Sequence, residues 1–194
     1  MQLTFSDKSA ARKYLSALRG SFTEIQRIEK SQKICDQIIN SAEFLNAKLV
    51  LVYYPIKSEI DILPIAKKAF ELDKNVAFPI SQKSSCLLDF RLVKSLDELS
   101  VGAYGIHEPK ENAPRPIFPD KKEEALCIVP ALSIDKKGSR LGYGKGFYDR
   151  FLKDFNGISL GAVFEELLCN SLPTESTDIP LEMIITDTGS VTIK

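Results

Sequence analysis

The sequence predicts an α/β protein: an open, mostly parallel sheet flanked by helices on both faces, with a helical segment at the N-terminus. Three observations predict it. Leu49-Val50-Leu51-Val52-Tyr53-Tyr54 is a continuous apolar and β-branched run, as in a strand buried on both faces. A helical pattern over 62–72 followed by Asn75-Val76-Ala77-Phe78 completes a strand–helix–strand unit. Two helical stretches precede the first strand instead of alternating with strands.

The elements follow in order. Ser6 can cap a helix over 7–18, with Asp7 near its positive end. Residues 24–39 carry Ile25, Ile28, Ile34, Ile38 and Ile39 at helical spacing, an amphipathic helix with a charged outer face. Pro55 ends the first strand and Pro79 the second. Residues 87–93 alternate in polarity and read as a further strand, whereas 108–119 hold four prolines and read as a loop. Leu126-Cys127-Ile128-Val129 is a short buried strand. Phe147, Tyr148, Phe151 and Leu152 then repeat at helical spacing. Strands at 158–164, 183–186 and 190–193 close the fold, and no repeat or low-complexity tract interrupts it.

Composition narrows the function. The 194 residues suit one domain over 1–194. Lys+Arg and Asp+Glu are both 26, which gives no electrostatic case for a nucleic-acid partner. No apolar run approaches the length of a membrane span. The polar N-terminus lacks the apolar core of a signal peptide, so a cytoplasmic location is expected. Cys35, Cys86, Cys127 and Cys169 are scattered with no C-x-x-C pair and read as buried free thiols.

The chemistry concentrates in Arg140-Leu141-Gly142-Tyr143-Gly144-Lys145-Gly146-Phe147-Tyr148-Asp149-Arg150. Glycines at this density let backbone N–H groups approach an anion, here between a strand and a helix whose positive end faces the loop. Arg140, Lys145 and Arg150 add positive charge, and Asp149 is a carboxylate able to hold a divalent metal. A Walker A loop would need Ser or Thr after the lysine, where Gly146 stands, and a dinucleotide fingerprint would need G-x-G-x-x-G early in the chain. The local reading is a phosphate site for a nucleotide, with a solvated glycine-rich turn as the alternative. Ligands of such sheets collect at the carboxyl ends of the strands, so the 55–61 turn, with Glu59, is expected on the same rim. Taken alone, Glu59 also reads as a helix-start acid, and Lys8 and Arg12, one turn apart, as solvated cations.

Together the segments resemble a family. Val129-Pro130-Ala131-Leu132-Ser133-Ile134-Asp135-Lys136-Lys137-Gly138-Ser139-Arg140 and the loop that follows are similar to the 5-formyltetrahydrofolate cyclo-ligase signature, P-G-L-x-F-D-x-x-G-x-R-L-G-x-G-K-G-Y-Y-D. Lys8-x-x-x-Arg12, Glu59-Ile60-Asp61, Gly105-Ile106-His107-Glu108-Pro109, Leu172-Pro173 and Thr177-Asp178 extend the likeness over nearly the whole chain. Ala131 stands where glycine is common, Phe147 replaces the first tyrosine of the usual pair, and Asp61, His107 and the 165–167 segment also depart from the pattern.

The resemblance implies a NagB/RpiA/CoA-transferase-like sheet. It also implies ATP- and Mg2+-dependent cyclisation of 5-formyltetrahydrofolate to 5,10-methenyltetrahydrofolate by a monomer. Carried over, Lys145 and Arg140 are catalytic. ATP is held by Lys8, Arg12, Arg140, Leu141, Gly142, Tyr143, Gly144, Lys145, Gly146, Phe147 and Tyr148. Tyr54, Glu59, Tyr143, Gly144, Lys145, Gly146 and Phe147 line the folate site, and Asp149 and Asp178 bind Mg2+. His107, placed in the proline-rich loop, is expected to have no catalytic part. The rival readings are a nucleotide-binding regulatory module, and an isomerase or transferase of phosphorylated metabolites on the same scaffold.

Overall fold

β1 (Leu49–Leu51) is the hub of a seven-stranded sheet, because all three of its residues are apolar and buried. The computed structural model describes residues 3–193. On one side β1 pairs in parallel with β2 (Asn75–Gln82), and β3 (Leu87–Val93) folds back antiparallel to form that edge. After the two-residue strands β4 (Ser100–Val101) and β5 (His107–Glu108), which pair only with each other, the chain returns to β1's other side. There β6 (Ala125–Val129) pairs in parallel with β1. Next come β7 (Ser133–Asp135), β8 (Arg140–Leu141), β9 (Ile158–Ala162), β10 (Leu168–Cys169), β11 (Met183–Ile185) and β12 (Ser190–Thr192). β9 and β11 extend the main sheet in parallel and β12 closes it antiparallel, giving the order β12-β11-β9-β6-β1-β2-β3. β10, β7 and β8 form a small sheet of their own. The α/β architecture with a mostly parallel sheet is thus as predicted.

The helices are α1 (Lys8–Ser21), α2 (Glu24–Ile39), α3 (Ala42–Asn46), α4 (Leu63–Glu71) and α5 (Phe147–Leu152). Asp7, not Ser6, caps α1, its carboxylate accepting from the Ala10 N–H. A shorter reach to the orphan donors makes the residue next to the helix the better cap. Thr23 and Gln26 form a reciprocal capping box on α2. The buried stripe of α2 is Ser31, Ile34, Cys35 and Ile38, while Ile25 and Ile28 are 68% and 61% exposed, contrary to the expected apolar face. Both isoleucines belong to the first turns of α2, before the buried stripe begins at Ser31, so their spacing alone does not bring them to the core. Among the described residues no helix is long and apolar enough to cross a membrane.

Pro79 does not end its strand. It pairs with Phe90 in the β2–β3 ladder, which continues to Gln82. The Ala77 carbonyl faces β1, and the Ser81 N–H also points away from β3, donating to Glu108 Oε1 at 3.0 Å. Position 79 shares that orientation beyond the end of β1, where no ladder partner would use an N–H, so proline costs nothing there. His107 likewise belongs to β5 and not to the proline-rich loop. Cys35, Cys127 and Cys169 are buried thiols, whereas Cys86, in the β2–β3 turn, is half-buried. Burial pushes the Cys35 thiol up to about 12.

Two features of this fold place the site. β1 and β6 are adjacent and parallel, so the turn after β1 and the segment after Val129 leave the sheet at the same edge. The second segment forms the β7–β8 hairpin, so the glycine loop follows a hairpin strand and does not come directly from the core strand, as the sequence suggested.

Candidate active site

The hairpin that delivers the glycine loop is fixed from below by Asp135, only 1% exposed. Its carboxylate accepts from the backbone N–H groups of Lys137 and Ser139, both at 2.9 Å, and from Leu172 N–H at 3.0 Å. Arg140 then opens the loop. Gly144 has φ +89°, which favours glycine, and a Cβ there would stand 3.1 Å from Arg12 Nη2, close enough that the guanidinium would have to shift. Gly146, at φ +68°, precedes α5. That helix is only six residues long, so charge at this place comes chiefly from side chains and the loop amides, and less from a helix end than the sequence suggested.

Arg12 Nε donates to the Gly142 carbonyl at 2.9 Å, tying α1 to the loop. One turn earlier, Lys8 Nζ lies 2.7 Å from Asp178 Oδ2 and 3.1 Å from Glu175 Oε1. Burial pushes the Asp178 carboxyl up, but the Lys8 ammonium, the Glu175 N–H and the charge of Arg140 outweigh it, and the group sits below the usual range. Arg140 Nη2 donates to Asp149 Oδ1 at 2.7 Å, and the Ile179 N–H reaches the same oxygen at 3.3 Å. Lys145 extends over the ring of Tyr104, 4.2 Å from its centroid and 3.1 Å from its hydroxyl, with Lys83 4.9 Å from the same centroid. Tyr104 itself adopts a left-handed φ of 59°, a strained conformation for a tyrosine.

The turn after β1 closes the opposite wall. Glu59 Oε2 accepts from the Ile56 N–H at 3.0 Å. Burial raises the Glu59 carboxyl above its ordinary range, against the pull of the Ile56 N–H, the Arg19 charge, the Tyr143 hydroxyl and Lys57. Tyr54 stacks on His107, with ring centroids 4.5 Å apart.

These walls enclose a cleft of about 1210 Å³. All the residues the sequence and the resemblance single out line it: Lys8, Arg12, Tyr54, Glu59, the whole of 140–149, and Asp178. His107 and Tyr104 line it too. Two buried polar atoms on its wall, Arg140 Nε and Tyr148 Oη, have no hydrogen-bond partner in the protein. Buried donors of this kind mark a place that a ligand or water completes. Among the described residues no group of three or more His, Cys, Asp or Glu side chains gathers as a metal site. Asp149 and Asp178, each held by a cation, fit instead the sparse carboxylate set that suits Mg2+ when phosphates supply further oxygens.

Arg19, buried behind the residues that line the cleft, is the feature that sequence reasoning missed. It is 5% exposed on α1. Its guanidinium donates to Ser58 Oγ at 3.2 Å, the Ala131 carbonyl at 3.3 Å and the Tyr143 hydroxyl at 2.7 Å. The available signal was its place on the same helical face as Lys8, Arg12 and the buried Leu15.

Residues 4–187 match the 5-formyltetrahydrofolate cyclo-ligase family. The chain is 30% identical over 169 residues to 5-formyltetrahydrofolate cyclo-ligase of Haemophilus influenzae, covering 84% of this chain and 89% of that one. It is 28% identical over 188 residues to a probable 5-formyltetrahydrofolate cyclo-ligase of Caenorhabditis elegans, covering 92% and 91%. The solution structure of Aquifex aeolicus 5,10-methenyltetrahydrofolate synthetase superposes with a TM-score of 0.83 at 30% identity, over 96% of this chain and 93% of that one. With a shared fold, a shared signature and coverage of nearly the whole chain, the protein belongs to the 5-formyltetrahydrofolate cyclo-ligase family.

Proposed function

We propose that this chain, acting as a single unit over 1–194, cyclises 5-formyltetrahydrofolate to 5,10-methenyltetrahydrofolate at the expense of ATP, with Mg2+, releasing ADP and phosphate. The observation that carries the reading is the gathering, in one cleft, of four cations on or beside a glycine loop with two carboxylates and the buried Glu59. A mere regulatory module would have use for the first set but none for Glu59.

The residues suit the chemistry. A formamide oxygen is a poor leaving group, so the γ-phosphoryl is first moved onto it, breaking the bond to the β-bridging oxygen and forming ADP. N10 of the folate then attacks the activated carbon. Phosphate departs with the C–O bond pair and takes up the N10 proton. Such transfer asks the protein chiefly for positioning and charge stabilisation. Lys145 and Arg140 would hold the transferring phosphoryl with the amides of Gly142, Gly144 and Gly146. Lys8 and Arg12 would reach the ATP, exchanging their present carboxylate and carbonyl partners for phosphate oxygens. Asp149 and Asp178 would hold Mg2+, which when bound neutralises phosphate charge. Tyr54, Glu59, Tyr143 and Phe147 would line the folate, with Glu59 accepting from pterin N–H groups. The reaction needs neither membrane nor nucleic acid, and we place it in the cytoplasm with the chain as a monomer.

The test is near-ultraviolet absorbance of the protein with 5-formyltetrahydrofolate and Mg2+, with and without ATP. A rise that requires ATP, from the extended conjugation of the methenyl product, is expected. ATP binding without that rise would overturn the proposed reaction in favour of a regulatory module or another acceptor.

A further inference from the structure

We infer that Glu108 is a positioning residue for the cleft: its buried carboxylate seats the β4–β5 hairpin on β2, so that His107 meets Tyr54 and Tyr104 meets Lys145. The inference deepens the cyclo-ligase reading, in which Tyr54 lines the folate and Lys145 meets the phosphoryl. The seating itself stands without that reading.

Glu108 is 5% exposed and takes no part in the chemistry above, so its withdrawal from water has another reason. The hairpin supplies it. β4 and β5 pair Ser100 with Glu108 and Val101 with His107, and neither strand joins the seven-stranded sheet. A ribbon of two residues a side is too small to hold itself in place. Beside it lies a second cavity of about 440 Å³, bordered by Ser81, Ser100, Gly102 and Glu108, so core packing does little of the holding there. The carboxylate makes the attachment instead. Oε1 accepts from the Ser81 N–H of β2 at 3.0 Å. Oε2 lies against Gly102, where a Cβ would collide with it. The φ of Gly102 is outside the left-handed region, so the closeness of the carboxylate, and not the backbone, calls for glycine. The Gly102 N–H donates to the Ile106 carbonyl at 2.8 Å and closes a turn in which Tyr104 and Gly105 are both left-handed. A tyrosine keeps that conformation only where its surroundings fix it.

From this seat two side chains reach across to other parts of the cleft. His107, next to Glu108, stacks on Tyr54 of the segment after β1, with ring centroids 4.5 Å apart. Tyr104 places its hydroxyl 3.1 Å and its ring centroid 4.2 Å from the Lys145 ammonium of the glycine loop. One buried carboxylate thereby sets the position of both contacts.

The experiment reads the ring protons of His107 by 1H NMR, since this is the one histidine of the sequence. In untagged, ligand-free protein, on the alkaline plateau of their titration, these signals are expected upfield through the stacked Tyr54 ring. Tyr54→Leu should remove that displacement and so calibrate it. Glu108→Ala is expected to lose most of the displacement. Its kcat/KM for 5-formyltetrahydrofolate should fall about tenfold at a temperature where circular dichroism shows it folded. Gly102→Ala keeps the carboxylate but pushes the turn off it, and should move both readouts in the same direction. A displacement retained in full by both variants would overturn the inference. So would a lower urea midpoint with unchanged His107 signals and kinetics, which a merely structural carboxylate would give. If Glu108→Ala does not fold, Gly102→Ala, on an exposed turn, decides alone. A parent protein without ATP-dependent folate turnover would remove the cyclo-ligase reading and leave the His107 signals to decide the seating.

Discussion

Arg140 and Asp149 face each other across the glycine loop, Nη2 to Oδ1 at 2.7 Å, one on the strand that enters it and the other on the helix that leaves it. The pair fastens the two feet of the loop together. The Arg140 side chain is only 7% exposed, so its charge has little water to fall back on.

Asp149→Asn should therefore act on both stability and turnover. Loss of a charge-assisted bond to a mostly buried guanidinium is expected to cost about 1–2 kcal/mol in urea unfolding. If Asp149 also holds Mg2+, kcat should drop by about 100-fold or more and the Mg2+ needed for half-maximal rate should rise. A variant with an unchanged Mg2+ requirement would remove Asp149 from the metal's ligands.

Lys145→Ala separates chemistry from folding. The ammonium rests on the exposed ring of Tyr104 and supports no buried group. Stability should stay within about 0.5 kcal/mol, as for other surface substitutions. Turnover should fall by about 10²- to 10³-fold if the ammonium meets the transferring phosphoryl. Near-normal turnover would end that assignment.

Asp135→Ala should do the reverse of a surface change. Three backbone N–H groups, of Lys137, Ser139 and Leu172, lose their acceptor, the last of them in a fully buried place. The expected cost is about 3 kcal/mol or more, read as a lower urea midpoint, because unsatisfied buried donors carry their full desolvation penalty. Crystallographic or NMR comparison should show the glycine loop displaced, since the β7–β8 hairpin carries it.

Acid sensitivity should trace in part to Lys30 and Asp187, 2.6 Å apart. Burial pushes the Asp187 carboxyl up, but the Lys30 ammonium and the Glu165 N–H outweigh it, and the group sits below its ordinary range. A carboxyl depressed in the folded state contributes stability above its unfolded value, lost as pH falls through the folded one. Lys30→Met should thus lower stability by about 1–2 kcal/mol at pH 7 and by much less once the pH falls below the folded-state value, where the carboxyl is protonated in both proteins. Equal losses at both pH values would assign the effect to packing of the Lys30 stem, which lies beside Phe22.

Much of this molecule is legible in its sequence because the relevant signals are local. β1 and β6 are contiguous apolar runs, and the glycine loop's candidate phosphate ligands fall within eleven consecutive residues. What escaped depends on partners far along the chain. Arg19 reads as one more cation on a charged helix until Tyr143 and Ser58 are seen around it. Pro79 reads as a strand breaker unless one knows that β1 has already ended beside it. Ile25 and Ile28 have the right spacing but fall in the first turns of α2, before its buried stripe begins, which only the packing of the helix reveals. The β7–β8 hairpin is short enough to vanish into its loop, although the three donors that bind Asp135 make it rigid.

α1 works as a ruler laid along the cleft. Lys8, Arg12 and Arg19 project from one face of it and grip, in turn, the Asp178 loop, the Gly142 carbonyl and the Tyr143 hydroxyl. At 1.5 Å per residue the first and last of these anchor points stand roughly 16 Å apart, a spacing set by helical rise alone. One residue inserted between Arg12 and Arg19 would swing the later side chain about a quarter turn away from Tyr143 while leaving Lys8 at its carboxylates. The gauge of the cleft is thus written in the count of residues along a helix that contributes no strand to the sheet.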